Sequence, residues 1–257
     1  MQKFNLNSNK ILNITSNGEY LINASNDQVI NIDTSVEAKV LLNDLSGNVV
    51  INLNKYSSLE LISISNKESN SNITINMLAN SNLNYKMGSV VETNANLVCN
   101  LNEEKANVSI EYLVLNKNTS SKFNQVINHN ALETSSEINN IGVTFENSNI
   151  KFDTTSHIYK GMSKSSAKQL SRGVILSDNS SITSLPILKI DEYDVFANHG
   201  TAIGRMSDDE LFYLMSRGLT KEDSYKLILS SLINPFIKSI WDETSKNVFQ
   251  KEVNELI

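Results

Sequence analysis

Short segments in which apolar and polar residues alternate follow one another at near-regular spacing from about residue 20 to residue 190. Ile73–Met77 is an example in which every second side chain is apolar. Alternation with a period of two and an enrichment in β-branched residues is typical of half-buried β-strands. The separators are rich in Asn, Ser and Asp and contain almost no proline. The pattern therefore predicts a mainly β region built from many short strands.

Strands repeating every ten to twelve residues fit either a β-sandwich or a β-solenoid. The solenoid is favoured because glycine-based hairpin turns are few, and because a hydrophobic content of 40% is enough when each turn contacts only its neighbours. Asparagine accounts for 38 residues, 33 of them before residue 150. It tolerates left-handed corners and forms ladders between stacked strands, although codon bias in an AT-rich genome accounts for it equally well.

The pattern changes to a helical period after about residue 205. Ser207–Glu210 forms a capping box, and Gly218 is expected to end the first helix in a left-handed conformation. Thr220–Asp223 begins a second helix. Asn234-Pro235 is expected to end that helix, and Pro235 to lie in the first turn of a third that runs toward Ile257.

The predicted fold is thus a parallel β-helix followed by a small C-terminal α-helical domain. Residues 1–204 are assigned to the β-helix core, with 1–20 as a lead-in, and 205–257 to a helical segment that docks a partner. Three short helices cannot bury all their apolar faces alone, so they either dock on a partner or cap the last turn of the solenoid. The candidate docking residues are Leu211, Phe212, Tyr213, Met215, Arg217, Ile228 and Leu232.

Charge and composition narrow the class of protein. The net charge of −6 and the pI near 5.2 argue against nucleic-acid binding, which needs a basic surface. No apolar run is long enough to span a membrane, and the N-terminus has no apolar signal region. The single cysteine, Cys99, rules out an internal disulfide framework. These features predict a cytoplasmic protein.

No catalytic motif is found. Gly200–Gly204 has the wrong spacing for a phosphate-binding loop, and no Gly-x-Ser-x-Gly or His-Glu-x-x-His is present. The three histidines are far apart, and His199 lies where the strands give way to helices. Gly200 and Gly204 beside it suggest an unusual backbone path that holds the imidazole at an edge. Cys99 is either a small core side chain or a candidate thiol. We therefore expect a non-enzymatic protein.

Two stretches, Pro186–Gly204 and Leu211–Gly218, resemble the SufB/SufD family of iron–sulfur cluster assembly scaffolds. They are similar to the family's proline with an alternating strand, its Asp-Val, its His-Gly-x-x-x-Gly and its Phe-Tyr-Leu-x-Ser-Arg-Gly; upstream, Ala167–Gln169 also fits. The glycine after His199 resembles the SufD branch. Ala197 stands where many SufD-like members have cysteine, and the chain is shorter than typical members.

The resemblance implies a β-helix that pairs with a SufB-like or identical subunit, and C-terminal helices that dock a SufC-type ABC ATPase. It also implies that a transient iron–sulfur cluster forms near the pairing interface, with His199 as a candidate metal ligand beside Gly200 and Gly204. Such clusters are normally held by several thiolates, and this chain has one cysteine and three histidines. We therefore expect the isolated chain to bind no cofactor and a partner subunit to complete the site.

Two other functions remain open at this stage. The first is a structural β-solenoid that serves as an oligomerisation module without an iron–sulfur role, which the short length and Ala197 favour. The second is a carbohydrate-binding β-solenoid, which predicts secretion and a cleft of carboxylates and aromatic rings. The aromatic content of 7% argues against the second.

Overall fold

The computed structural model describes residues 2–4, 11–23 and 27–257, which form seventeen strands and three helices. The strands are β1 (Gln2–Phe4), β2 (Ile11–Ile14), β3 (Gly18–Asn23), β4 (Gln28–Ile32), β5 (Glu37–Asn43), β6 (Gly47–Leu53), β7 (Ser58–Ser65), β8 (Ser69–Met77), β9 (Asn82–Ser89), β10 (Thr93–Leu101), β11 (Asn107–Asn116), β12 (Ser120–His129), β13 (Ser135–Thr144), β14 (Asn149–Ile158), β15 (Ser166–Ile175), β16 (Ser181–Ile190) and β17 (Phe196–Gly204). The helices are α1 (Asp208–Ser216), α2 (Lys221–Ser239) and α3 (Glu243–Leu256).

Successive strands alternate between two sheets, so the chain winds as a solenoid with two strands in each turn. The odd-numbered strands form a nine-stranded sheet and the even-numbered strands an eight-stranded sheet, each in sequence order. Neighbouring strands pair in parallel, as β13 does with β15. The predicted parallel β-helix with C-terminal helices is confirmed. Strands already begin at Gln2, inside the stretch 1–20 that was treated as a lead-in.

The space between the sheets is filled by the alternating side chains that the sequence pattern indicated. In the middle turns, Tyr85, Tyr112, Phe123 and Phe152 are fully buried and form a continuous aromatic row with centroid separations of 5.8, 5.7 and 5.4 Å. Offset and edge-to-face ring pairs of this kind stabilise a core beyond the burial of their area. This row holds the two sheets together where the solenoid becomes wide.

One corner of each turn holds a residue in the left-handed conformation. These residues have φ between 56° and 62° and are Ser35, Tyr56, Asn80, Lys105, Glu133 and Lys164. One of the six is asparagine, and Asn118 and Asn147 are left-handed at other turns of the described chain, so the expectation that asparagine builds the corners holds in part. Successive corner residues are separated by 21, 24, 25, 28 and 31 positions. Each turn is therefore longer than the one before it, and the solenoid widens toward its C-terminal end.

The asparagines are organised instead as ladders on the outer face of the eight-stranded sheet. Five Nδ2–H···Oδ1 bonds of 2.7–3.0 Å link one asparagine per turn, in the order Asn13, Asn31, Asn52, Asn76, Asn100 and Asn128. A second ladder begins at Asp27 and continues through Asn48, Asn72 and Asn96. The predicted stacking of like residues between turns is confirmed.

Helices α2 and α3 lie across the outer face of the nine-stranded sheet. Helix α2 presents Leu229, Leu232, Ile233, Phe236 and Ile237, a spacing that places them on one helical face. They pack on outward side chains of successive odd strands, namely Leu41, Ile62, Leu113, Val143 and Val174. A 19-residue helix is about 28 Å long and crosses several strands spaced about 4.8 Å apart. The alternative in which the helices cap the last turn does not hold for α2 and α3, since these two helices cover the side of the solenoid.

The predicted helix starts at Ser207 and Thr220 are confirmed, because each side chain accepts a hydrogen bond from the backbone N–H three residues later. Gly218 has φ of 96°, the expected left-handed end of α1. The expected helix break at Pro235 is wrong. Pro235 lies inside α2, which continues to Ser239 because Phe236 and Ile237 are anchored on the sheet.

The third helix begins further along the chain than expected, at a cap supplied by Asp242. Its carboxylate accepts from the backbone N–H and the hydroxyl of Ser245 at 2.9 and 2.8 Å. Asn43, at the end of β5, donates to the same hydroxyl at 3.1 Å. The N-terminus of α3 is thus tied to the sheet by hydrogen bonds as well as by apolar packing.

His129 is the buried last residue of β12, and its imidazole makes two hydrogen bonds. Its Nδ1 lies 2.8 Å from the Thr134 hydroxyl and its Nε2 2.9 Å from the Ser136 hydroxyl. Burial lowers the pKa of His129 to about 4, from an ordinary value of 6.5. The imidazole is therefore neutral in the folded protein at pH 7. Both of its nitrogens are used in hydrogen bonds within the solenoid, so its role is structural.

The low pKa of His129 predicts that the protein loses stability as the pH falls from about 6.5 to about 4. In this window the unfolded chain binds a proton that the folded chain does not, so the contribution is fully present above pH 6.5. A difference of about 2.5 pKa units corresponds to a loss of about 3 kcal/mol. Urea unfolding at several pH values checks this, and His129→Gln, which keeps a donor and an acceptor, should flatten the curve. His157→Gln is the control, and an equal flattening there would contradict the assignment.

Candidate functional site

The C-terminal end of the solenoid is formed by two edge strands. β17 pairs only with β15, and β16 pairs only with β14, among the residues that the structure describes. The outer edges of both strands therefore present backbone N–H and C=O groups without a neighbouring strand. Two strands occupy this end of the solenoid, because the chain turns once more between Ile190 and Phe196.

Pro186 lies in the interior of β16, opposite Thr154 of β14. Proline cannot donate to a ladder and is confined to edge strands, which is the position that β16 has. The side chains around it that point away from the core are apolar and exposed, namely Leu185 and Ile187. Phe196, at the start of β17, is exposed as well. The end of the solenoid therefore combines open strand edges with an apolar surface.

His199 lies within β17, the last strand before the helices. It is opposite Gln169 of β15 in the parallel register, and Gln169 points into the space between the sheets. The side chain of His199 lies on the same side of its strand as that of Gln169. No further turn of the solenoid is stacked on β17, so the His199 side chain is exposed. In the described part of the chain, neither ring nitrogen has a hydrogen-bond partner. The imidazole is thus free to bind a group brought by another molecule.

The glycines beside His199 do not have the unusual backbone path that the sequence suggested. Gly200 and Gly204 both belong to the regular strand β17, and neither has a positive φ. A Cβ at Gly200 would lie 3.2 Å from Cδ2 of Leu170, whereas at Gly204 it would meet nothing within 4 Å. Gly200 therefore lets β17 lie close to the outer side of β15, and Gly204 marks the end of the solenoid.

Cys99 is located in the core, far from this end of the chain in sequence. It shares the inward face of β10 with Leu97 and Leu101, and all three are fully buried. Its Sγ lies 3.8 Å from Sδ of Met77. Burial raises the pKa of the Cys99 thiol to about 12, so the thiol stays protonated at neutral pH. This is the environment of a small apolar side chain.

A third histidine forms a surface pair that sequence reasoning missed. His157 Nε2 lies 2.7 Å from Asp191 Oδ2, and its ring is 3.8 Å from that of Tyr159. The two partners of the pair are 34 positions apart, about one turn of the wide end of the solenoid. The described residues contain no group of three His, Cys, Asp or Glu side chains that could hold a metal ion. Within the described ranges, no helix is long and apolar enough to cross a membrane.

The first helix carries the second exposed apolar surface. Phe212, Tyr213 and Met215 are 74%, 57% and 45% exposed, whereas Leu211 is only 5% exposed. Leu232 of α2 is buried against the sheet at 8%. The apolar surfaces of Leu211 and Leu232 are therefore already covered within the chain, so neither side chain is available to a docking partner.

Two of the other predicted docking residues, Tyr213 and Ile228, line a groove of about 490 Å³ between α1, α2 and the outer face of β15. The groove is also lined by Arg172, Asp209, Glu210 and Leu227. The guanidinium of Arg217 lies 5.3 Å from the centre of the Tyr213 ring, within the range of a cation–π contact. Arg217 thus orients an exposed aromatic side chain at the rim of the groove.

Comparison with known proteins places this architecture in one family. The family model for the SufBD core domain, described as SUF system FeS cluster assembly, matches residues 7–232. The SufD iron–sulfur cluster assembly protein of Bacillus subtilis is 36% identical over 99 residues, which cover 38% of this chain and 23% of that protein. A SufBD family iron–sulfur cluster assembly protein of Pyrococcus horikoshii is 38% identical over 69 residues, covering 26% and 15%.

The SufD iron–sulfur cluster assembly protein of Plasmodium berghei is 32% identical over 90 residues, covering 34% of this chain and 7% of that protein. In each of these three relatives, the aligned part spans less than a quarter of the relative's length. The match to the family model includes all strands from β2 to β17, helix α1 and part of α2. Since it covers well over half of the residues, the chain belongs to the SufBD core domain family of the SUF system for iron–sulfur cluster assembly.

Proposed function

We propose that this chain is a cytoplasmic scaffold subunit of a SUF-type iron–sulfur cluster assembly complex and catalyses no reaction of its own. The observation that carries the proposal is the match to the SufBD core domain over residues 7–232, which includes the solenoid end with His199. The cluster is the cargo of such a complex and is not a resident cofactor. The chain contributes a surface on which partner subunits meet.

The C-terminal end of the solenoid is the proposed surface for pairing with a SufB-like subunit or a second copy of this chain. Two open strand edges and the exposed Leu185, Ile187 and Phe196 support this assignment. Uncovered strand edges associate readily with other strands, and exposed apolar patches mark interaction sites. Pairing at this end would bring His199 into the interface.

His199 is the proposed contribution of this chain to cluster binding. An exposed imidazole with both ring nitrogens free of hydrogen bonds in the described structure suits an iron ligand. Cys99 does not suit this role, because it is enclosed and protonated. Ala197 supplies no thiolate next to His199. The remaining ligands would come from the partner subunit or from small thiols, since clusters are held mostly by thiolates.

Helix α1 and the groove beside it form the proposed docking surface for a SufC-type ABC ATPase. Phe212 and Met215 are exposed large side chains of the kind that act as interface anchors. Arg172, Tyr213 and Ile228 line the adjoining groove. Deleting residues 207–257 is a poor test of this surface, because it would also uncover the apolar outer face under α2 and α3.

A reciprocal pair of variants tests both surfaces in one experiment. We expect Phe212→Ser with Met215→Ser to weaken ATPase binding at least about tenfold and to leave pairing unchanged, since each lost anchor costs more than about 1 kcal/mol. Leu185→Lys with Ile187→Lys should do the reverse. Affinities are measured by titration calorimetry with purified SufC-like and SufB-like proteins, and self-pairing is measured by light scattering.

The control for this experiment is Tyr56→Ser, which removes an exposed aromatic ring from an early corner of the solenoid. It should change neither affinity. Loss of both partners with either double variant would indicate general damage to the fold. Unchanged affinities in both double variants would show that the two surfaces are assigned wrongly.

The second candidate function is a structural oligomerisation module without an iron–sulfur role. Ala197 favours it, because the side chain beside His199 offers no metal ligand. Such a module would still pair and would still bind the ATPase. It is distinguished from the scaffold by the His199 substitution treated in the Discussion, which should then have no effect on clusters.

A further inference from the structure

We propose that Gln169 is a positioning residue for His199: its amide oxygen accepts the N–H of the imidazole and thereby fixes which ring nitrogen is left free for a ligand. Gln169 itself touches neither partner nor cargo, and it acts only through the histidine. The proposal rests on the proposed function only for its consequence in cluster assembly. The described structure leaves the Gln169 amide oxygen and both ring nitrogens of His199 without a hydrogen bond, and the proposed contact joins them in the isolated chain, without partner or cargo.

Gln169 is held rigidly between the two sheets of the solenoid. Its side chain is only 2% exposed, which is unusual for glutamine. Its Nε2 donates to the hydroxyl of Ser156 at 2.9 Å and to the backbone carbonyl of Ile187 at 3.2 Å. Both donor hydrogens of the amide are therefore used, on partners in β14 and β16. These two bonds fix the plane of the amide and hence the direction of its oxygen.

The amide oxygen of Gln169 has no hydrogen-bond donor in the described structure. A buried carbonyl oxygen without a partner destabilises the fold, so such atoms are rare in folded proteins. The side chain that follows Gln169 in the inward stack is that of His199, its register partner in the next strand. Stacked positions in neighbouring strands are about 4.8 Å apart, which is within reach of both side chains. His199 occupies the next inward position of this stack, and its imidazole can supply an N–H.

The chemistry of imidazole makes this contact useful. Neutral histidine carries a hydrogen on one ring nitrogen and a lone pair on the other. A histidine that binds a metal commonly donates its other N–H to a carbonyl or carboxylate, which fixes the tautomer and the ring orientation. The oxygen of Gln169 can only accept, so it selects the nitrogen that keeps the hydrogen. The other nitrogen then faces the open end of the solenoid.

The test is the tautomeric state of His199 in the isolated chain, measured by long-range ¹H–¹⁵N correlation spectra at pH 8, above the ordinary pKa of histidine of about 6.5. The His199 resonances are assigned from their loss in His199→Gln. We expect one protonated and one unprotonated nitrogen in the native protein. In Gln169→Met the two shifts should converge as the tautomers exchange, whereas Gln169→Glu, which keeps an acceptor oxygen, should restore their separation.

Lys168→Met is the matched control, because Lys168 neighbours Gln169 but bonds Glu137 on the outer face. It should leave the His199 shifts unchanged. If Gln169→Met does not fold, Ser156→Ala replaces it, since that change removes one of the groups that orient the amide. His199 shifts that are the same in the native protein, Gln169→Met and Ser156→Ala would overturn the proposal.

Cluster assembly gives the second readout and separates this proposal from the proposed function. Loss of a group that orients a metal-binding histidine costs about 10–100-fold, so Gln169→Met should slow assembly by about that factor. Altered His199 spectra together with normal assembly by His199→Ala would leave the positioning contact standing and refute the proposed function. Unaltered spectra together with failed assembly by His199→Ala would do the opposite.

Discussion

Replacing His199 by alanine is expected to abolish cluster assembly while leaving the fold and both partner interactions intact. The imidazole is exposed at the last strand, so its removal creates no cavity in the core. The effect on assembly should exceed the roughly 10–100-fold cost of losing a group that only orients a ligand. The substitution removes the one side chain of this protein that we propose as a ligand of the iron–sulfur cluster.

The measurement is anaerobic reconstitution of the co-purified complex, followed by the visible absorption and circular dichroism of the cluster. His157→Ala is the matched control, because it removes another imidazole that lies on the outer face and is paired with Asp191. It should assemble clusters at the native rate. Native assembly by His199→Ala, or unfolding of that variant, would show that the site is assigned wrongly.

The second large effect is expected from Gly88→Val, which should detach α2 and α3 from the sheet. Gly88 lies in β9 directly under Phe236 and Phe249, whose rings are 5.5 Å apart. A Cβ at this position would overlap Cε1 of Phe236 and lie 2.8 Å from Cζ of Phe249. Both rings are fully buried, so neither has room to move. Overpacking of this kind costs about 1–3 kcal/mol, and the valine methyls place the expected loss at about 3 kcal/mol.

A double-mutant cycle isolates this contact in the free energy of unfolding. Phe236→Ala alone should cost about 3–5 kcal/mol, because it leaves a cavity under α2. Gly88→Val with Phe236→Ala should cost less than the two single changes together, since the valine occupies part of that cavity. Gly18→Val is the control, because a Cβ there meets only Tyr20, at 3.5 Å. Additive costs would contradict the close approach of strand and helix.

The solenoid could be predicted from the sequence because its strands have one face in the core and alternate accordingly. The path of the helices could not, since an apolar helical face does not say which surface covers it. A signal was nonetheless present in the odd strands. Val40–Leu42 and Tyr112–Leu115 are uninterrupted apolar runs, whereas Ile73–Met77 of an even strand alternates. Uninterrupted runs indicate strands covered on both faces, and these are the strands beneath α2 and α3.

The candidate site was only partly predictable for a related reason. His199 could be found from the motif around it, but its relation to Gln169 depends on the length of one turn, which changes along the chain. The same limit hid the pairing of His157 with Asp191. The prediction that the second helix ends at Pro235 was wrong because the preference of proline for a helix start was outweighed by the packing of Phe236 and Ile237. Local sequence does not reveal that packing.

The gradual lengthening of the turns also bears on how the chain finds its alignment during folding. A solenoid of identical repeats can shift by one whole repeat and lose contacts only at its ends. Here the spacing grows from 21 to 31 residues, so a strand displaced by one turn would meet a neighbour with its corner in the wrong place. The unequal turns thus give each strand one neighbour of matching length, which disfavours pairings that are slipped by a whole turn.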